Sequence, residues 1–208
     1  MAHTSREIKA VLMPLLCNEQ LNGIIYVAGG IVPYVYSGKE SARTHSDIDI
    51  VAAIENMPII RKYLKDSNQY DAAFDSLTFA YNAKQADYGL EVFIEGIPVN
   101  FAPFVVQGCN IYQRNFLKKE LSGYDALLTA TMEGISIDDY MTRLTLPDGN
   151  TIGTYTIEMV KCAKESSDRE KDLQDIEVID RLPVDIARYN RVKSVVEKMR
   201  IDVDAAGE

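Results

Sequence analysis

The sequence predicts an α+β protein, a mixed β-sheet flanked by helices with a helical C-terminal part. Three patterns carry that expectation. Apolar runs of strand length recur through residues 21–104, separated by glycine-rich or charged breaks. Helical periodicity lies among them, at residues 4–16 and 57–66. From residue 154 onward apolar positions recur at helical spacing almost to the end.

Taken in order, Thr4 and Glu7 fit a capping box, and Ile8, Val11, Leu12, Leu15 and Leu16 then share one helical face. Pro14 falls inside that pattern and is expected to kink or shorten the helix. Residues 21–28 read as a short buried strand, Gly29-Gly30 as a tight turn, and 31–36 as the start of a helix in which Pro33 comes early enough to be tolerated. Ser37-Gly38-Lys39 matches the tail of a P-loop only superficially. Pro33 stands where the first glycine belongs, and Glu40 where Ser or Thr is needed. A second strand is expected over 47–54, then a helix over 57–66 with Ile59, Ile60 and Tyr63 or Leu64 inward.

Residues 68–87 are less regular. DYGLEVFIEGIPVNFAPF, at 87–104, reads as a β-hairpin turning at Glu95-Gly96. A two-residue turn fixes the register: Ile94 faces Ile97, Val92 faces Val99, and Glu91 lies opposite Asn100. Residues 105–153 are expected to extend the sheet through ALLTATM and ISIDDYMTRLTL, with a helix or loop near 114–120 and a turn at PDGN. Beyond 154, Ile157, Val160 and Ala163 share one helical face, and Leu173, Ile176 and Ile179 share the face of a second helix. A last amphipathic helix follows Pro183 to about residue 199, and the acidic end is expected to fray.

The chemistry concentrates between residues 26 and 51. In a strand, residues i and i+2 point to one face with Cα atoms roughly 6–7 Å apart, so Asp47 and Asp49 can reach one divalent ion while Ile48 and Ile50 face the core. Two adjacent negative charges repel unless a cation or a proton relieves them. The Gly29-Gly30 turn allows close backbone approach to a ligand, and the amides of the helix that follows attract phosphate. Together these features describe a site for a metal-bound polyphosphate. Tyr26, Tyr34 and Tyr36 flank the glycines closely enough to line a base, or else belong to the core or rim.

Strand, Gly-Gly, short helix and then Arg-x-His-x-Asp-x-Asp resembles the nucleotidyltransferase superfamily, which includes aminoglycoside and lincosamide nucleotidyltransferases, abortive-infection toxin nucleotidyltransferases and DNA polymerase beta. Gly29, Gly30, Arg43, His45, Ser46, Asp47 and Asp49 carry the likeness. It covers roughly residues 20–105 well and 154–180 loosely. The resemblance implies a nucleotidyltransferase-like catalytic core over 1–105, with 106–208 as a sheet extension and helical region packed on it. It implies Mg²⁺ or Mn²⁺ on Asp47 and Asp49, with Gly29, Gly30 and Ser46 cradling the triphosphate of an ATP-like donor and Arg43 adding positive charge. His45 would orient an acceptor or a carboxylate. Lys161, Arg169, Lys171, Asp172 and Asp175 are similar to a "K…R.KD..D" pattern of the aminoglycoside and abortive-infection relatives, which implies that Lys161 contacts phosphates and that Lys171-Asp172 buttresses the site.

One departure stands out. Where the family carries a third acid, in a context similar to "gIPVDf", this chain has Asn100, an oxygen ligand but no base. The hairpin register offers Glu91 as the surrogate carboxylate; the other reading places Glu91 on a solvated face. The expected activity is transfer of a nucleoside monophosphate from an NTP to an acceptor that the sequence does not identify, a small molecule, a protein or an RNA end. The alternatives are a catalytically degenerate member that binds nucleotide or a partner, and a toxin-like modifier of tRNA or protein with a toxin-antitoxin-like role.

Bulk properties set outer limits. The 208 residues suffice for a substantial core, with 47% hydrophobic and 25% charged residues. A net charge of −9 argues against broad nucleic-acid binding, leaves a specific RNA open, and favours a cationic small acceptor. No apolar run approaches the roughly 20 residues that cross a bilayer, and the N-terminus does not pattern as a signal peptide, so no membrane partner and a cytoplasmic location are expected. Cys17, Cys109 and Cys162 are widely spaced and read as buried thiols, neither a disulfide framework nor a zinc site.

Overall fold

The computed structural model describes residues 2–40, 43–118 and 124–207. Its architecture is α+β. The chain runs α1 (Ser5–Leu16), β1 (Ile25–Ala28), a 3-10 turn (Gly29–Ile31), α2 (Val32–Ser37), β2 (Ile48–Ala53), α3 (Met57–Asp66), β3 (Leu90–Ile94), β4 (Ile97–Gln107), β5 (Asn110–Leu117) and β6 (Asp125–Glu133). It continues with α4 (Ile137–Tyr140), β7 (Met141–Thr145), β8 (Thr151–Tyr155), α5 (Ile157–Glu165), α6 (Glu170–Ile179), α7 (Ile186–Val196) and β9 (Arg200–Gly207).

The described strands form one mixed sheet in the order β7-β8-β1-β2-β4-β5-β6-β9, with β3 paired to β4. β1 runs antiparallel to β2 and parallel to β8, and β2 runs parallel to β4. β4 carries the sheet across residue 105 without a break.

The N-terminal helix forms as its pattern requires. Thr4 accepts from the Glu7 amide while the Glu7 carboxylate accepts from the Thr4 amide, and Ile8, Val11, Leu12, Leu15 and Leu16 are all buried. Pro14 does not shorten it: the helix runs two residues past the proline, to Leu16. In α3, Ile60 and Leu64 are buried and Ile59 is exposed, so the inward face is narrower than expected. The irregular segment after α3 is tied down by Arg61, a buried guanidinium paired with Asp75 at 2.7 Å and Asp87 at 2.5 Å.

The hairpin turns at Glu95 and Gly96, both at positive φ (52° and 80°), the backbone that a two-residue turn of this hand requires. Its register pairs Ile94 with Ile97, Val92 with Val99 and Glu91 with Asn100.

Four expectations are corrected. Residues 114–117 belong to strand β5, which pairs with β6 across eight residue positions; the end of the helix-or-loop expectation, at 119–120, lies outside the described residues. The last helix stops at Val196, and the acidic end forms β9, a sheet-edge strand on β6 instead of a frayed tail. On α6 the buried side chains are Asp172, Asp175 and Ile179, while Leu173 is 54% exposed. Cys109 is exposed and Cys17 half-buried, which leaves Cys162 as the buried thiol.

Candidate active site

Asp49 lies in the middle of the sheet, with Ala28 of β1 on one side and Asn100 of β4 on the other. Asp47 sits two residues earlier, just before β2 begins, and is exposed where Asp49 is half-buried. A cleft of about 450 Å³ opens over them, lined by Gly29, Gly30, Arg43, Ser46 and Lys171 along with the two aspartates. His45 and Arg169 line it too, so nine residues singled out from the sequence converge on one hollow. A cavity of about 110 Å³ that shares the two aspartates is lined by Glu91, Asn100 and Asn115 as well. Glu91 is 4% exposed, which excludes the solvated-face reading.

The two glycines are fixed by what approaches them. Gly29 has φ +70°, and a Cβ there would lie 2.0 Å from Asp49 Oδ2. A Cβ on Gly30 would lie 2.0 Å from an Arg43 guanidinium nitrogen. In this structure the turn makes room for the protein's own carboxylate and guanidinium, a demand that the sequence reading assigned to a ligand.

Arg43 is anchored. It donates to both carboxylate oxygens of Asp175 at 2.8 Å and to the Gly30 carbonyl at 3.2 Å. Asp175, fully buried, also accepts from the Tyr34 hydroxyl at 3.1 Å and pairs with Lys164 at 2.9 Å. Lys164 pairs further with Asp172 at 2.5 Å, and Arg169 binds Asp172 at 2.6 Å. This network explains why acids occupy the inner face of α6: a buried carboxylate is tolerable only when paired and hydrogen-bonded. It also makes Arg43 a strut between the Asp47 loop and α6.

Lys161 is not in the cleft. Its ammonium pairs with Asp180 and Glu165 away from it. Lys164, one helical turn later, lines the cleft instead, together with Arg169 and Lys171. The sequence reading missed Lys164. The signal available was the i, i+3, i+7 spacing of Asp172, Asp175 and Ile179, which puts two acids on the inward face and so calls for a buried base opposite. Lys171 has no ion-pair partner among the described residues, and the N-terminus of α6 beside it has no side-chain cap.

His45 is 4% exposed; its backbone bridges His3 and its ring packs edge-on against Tyr34. Burial first, and the Arg43 charge second, hold its imidazole down to about 4, so it is neutral near pH 7. Tyr34 and Tyr36 do not line the cleft. The Tyr34 hydroxyl serves Asp175 and the Tyr36 hydroxyl donates to the Tyr155 carbonyl, which are core and rim duties.

The aspartates are under-neutralised. Withdrawal from water first, and the Asp47 charge second, raise the Asp49 carboxyl above its ordinary range, against the pull of Lys164 and Lys171. Among the described residues Asp49 accepts no hydrogen bond, and Asp47 accepts one, from Ser46 Oγ at 3.0 Å. The buried Asn100 Oδ1 also lacks a hydrogen-bond partner among the described residues.

No three of His, Cys, Asp or Glu among the described residues gather closely enough to enclose a metal ion. An all-protein cage for a structural metal is thus not indicated there. Two carboxylates with an orphaned amide oxygen on the same small cavity are the hard-oxygen set that suits Mg²⁺, which is commonly held by one or two carboxylates plus substrate phosphates. No helix among the described residues is long and apolar enough to cross a membrane.

A scan of protein-family models and a search of curated proteins return no match. Solved structures do match. The lincosamide antibiotic adenylyltransferase LnuA, in its lincomycin-bound crystal structure, shares 17% identity at a TM-score of 0.53, covering 88% of this chain and 100% of that one. The antibiotic-resistance factor ANT(2'')-Ia, in a solution structure, shares 10% identity at a TM-score of 0.56, covering 93% of each chain. At these identities the likeness speaks for the fold, and both neighbours are similar to this chain along nearly its whole length.

Proposed function

We propose, from the premise of a nucleotidyltransferase-superfamily fold, that this protein is a metal-dependent nucleotidyltransferase acting on a small acceptor. The observation that carries the reading is that Asp47 and Asp49 line both a cleft rich in positive charge and a second, smaller cavity. Nucleotidyl transfer needs that layout. The donor's polyphosphate must lie against the acids in one space and the acceptor oxygen must reach them from a neighbouring one, in line with the bond that breaks.

Each residue then has a part. Arg169, Lys171 and the uncapped amides at the start of α6 bind the triphosphate, with Lys164 behind them and Ser46 at the rim. Gly29 and Gly30 keep the floor open. Arg43, held by Asp175, positions the loop that carries Asp47. Asp47, Asp49 and the Asn100 amide oxygen would hold Mg²⁺ or Mn²⁺, which supplies charge neutralisation at the transferring phosphoryl group and at the attacking oxygen. Glu91, facing the same small cavity, is the carboxylate we assign to receive the acceptor's proton. The acceptor oxygen bonds to the α-phosphorus as the bond to the leaving oxygen breaks, and pyrophosphate departs with that electron pair.

LnuA is described as acting on a lincosamide and ANT(2'')-Ia as conferring antibiotic resistance. A small acceptor for this chain follows that precedent. The test is transfer from α-labelled NTPs with Mg²⁺ or Mn²⁺ over a panel of acceptors. Wild-type protein should label an acceptor and release pyrophosphate, and Asp47→Asn and Asp49→Asn should do neither. Retained transfer in both variants would overturn the assignment.

A further inference from the structure

Beside the donor cleft, and sharing Gly29, Asp49, Tyr155 and Ala163 with it, lies a second hollow of about 320 Å³ between the sheet and α5. That volume suits a small organic molecule. Its floor is one face of the sheet. Asp49 and Val51 of β2 pair with Asn100 and Ala102 of β4, Gln113 and Asn115 of β5 pair with Ala130 and Leu128 of β6, and Ala130 pairs with Ile201 of β9. Met159 and Met199 close the other sides.

The polar groups here are neutral amides with unused capacity. Gln113 Oε1 accepts from the Tyr155 hydroxyl at 2.8 Å and the Tyr140 hydroxyl at 2.5 Å, which leaves the Gln113 amide nitrogen as a donor with no partner among the described residues. Asn115 Oδ1 accepts from Asn100 Nδ2 at 2.9 Å, which leaves the Asn115 nitrogen and the buried Asn100 Oδ1 in the same condition. Two amide donors that face an apolar hollow without a protein partner suit a ligand that supplies acceptors, and the orphaned Asn100 Oδ1 beside them is the buried one of the three. Asp49 is the one carboxylate among the lining residues, and it belongs to the transfer site.

Building on the transferase reading, we infer that the acceptor is an uncharged, amphiphilic small molecule whose hydroxyl or carbonyl groups meet the amide nitrogens of Gln113 and Asn115, with its apolar body against Leu128, Met159, Met199 and Ile201. A polycation finds one carboxylate here, Asp49, which the transfer site already uses, although the whole chain is acidic. Net charge pointed to a cationic acceptor; the lining of the hollow reverses that expectation.

Saturation-transfer NMR on the intact protein tests this, with submicellar octyl β-glucoside as the neutral amphiphile and neamine as the polycation. Octyl β-glucoside should show saturation transfer and neamine none. A carboxylate placed in the hollow by Ala130→Glu should weaken the octyl β-glucoside signal about tenfold or more, because the charge must be desolvated without a partner. Ile201→Glu, on an exposed edge strand that tolerates charge, gives the same readout should Ala130→Glu fail to fold. The inference is overturned by neamine binding as well as octyl β-glucoside, by no binding of octyl β-glucoside, or by unchanged binding in a folded Ile201→Glu variant. Titration of the same samples with ATP and Mg²⁺ reports the donor site separately. Loss of ATP binding alone would sink the transferase reading and leave the result for the hollow standing.

Discussion

Gly29 opens the turn just past Ala28, the β1 residue that pairs with Asp49, and its missing side chain is the space occupied by the Asp49 carboxylate: a Cβ at Gly29 would lie 2.0 Å from Asp49 Oδ2. Gly29→Ala must therefore move Asp49 as well as strain a φ of +70°. The backbone cost is about 1 kcal/mol, small beside the stability of a domain. Metal-dependent nucleotide binding should fall with little change in the thermal midpoint, as titration calorimetry and a melting curve on one sample would show. Normal binding would mean that Asp49 has no fixed role.

The repulsion between Asp47 and Asp49 predicts opposite responses in stability and function. Asp49→Asn removes a charge that is withdrawn from water and faces another carboxylate, so the metal-free protein should keep its stability or gain up to about 1 kcal/mol. Transfer should fall below detection, a loss on the order of a hundredfold or more, since the charge meant to be met in the transition state is gone. Denaturant melts without metal, read beside initial rates with Mg²⁺, check both.

Lys161 and Lys171 separate the helix face that meets the cleft from the one that does not. Lys171→Ala should weaken NTP binding about tenfold, the loss of one charge-assisted contact. Lys161→Ala should stay within about twofold of wild type, because an exposed ion pair contributes little. A reversed order in NTP titration would place the phosphates elsewhere.

Asp172 gives the fold an acid-side signature. Burial alone would raise its carboxyl, but hydrogen bonds from Lys164, Ser167 and Arg169 outweigh that and hold it at about 2, below its ordinary 3.8. A depressed folded pKa stabilises the native state above the unfolded value and ceases to do so as pH falls through the folded one. The contribution, about 2 kcal/mol, is thus complete above roughly pH 5 and fades between pH 4 and 2. Urea midpoints across that window should fall more steeply for wild type than for Asp172→Asn; equal slopes would show the pairing to be absent in solution.

Much of this arrangement was legible in the sequence because short-range rules governed it. The capping box at Thr4 and Glu7, the Glu95-Gly96 turn and the alternation around Asp47 and Asp49 are local, and the hairpin register that sets Glu91 opposite Asn100 follows from turn length alone. The errors came where a distant partner decided. Leu173 looked like a core residue by periodicity, yet Lys164 and Arg43 draw Asp172 and Asp175 inward and turn the leucine out. Residues 114–117 and 200–207 became strands because β6 offers edges on both sides, which no propensity at those positions records. Lys161 is the lysine that the resemblance implies, whereas the buried acids of α6 pair with Lys164.

β1 lies between β2 and β8, so Tyr26 pairs beside Gly153, where a Cβ would press on the Ile25 carbonyl at 2.5 Å. That parallel contact joins segments more than a hundred positions apart, and its loop-closure entropy must be met before the pairing returns any stability. Refolding should accordingly run on a scale of milliseconds to seconds, slower than for a helical bundle of this length. Gly153→Ala, which crowds the seam, should slow that rate if the seam forms in the transition state and speed unfolding if it closes afterwards.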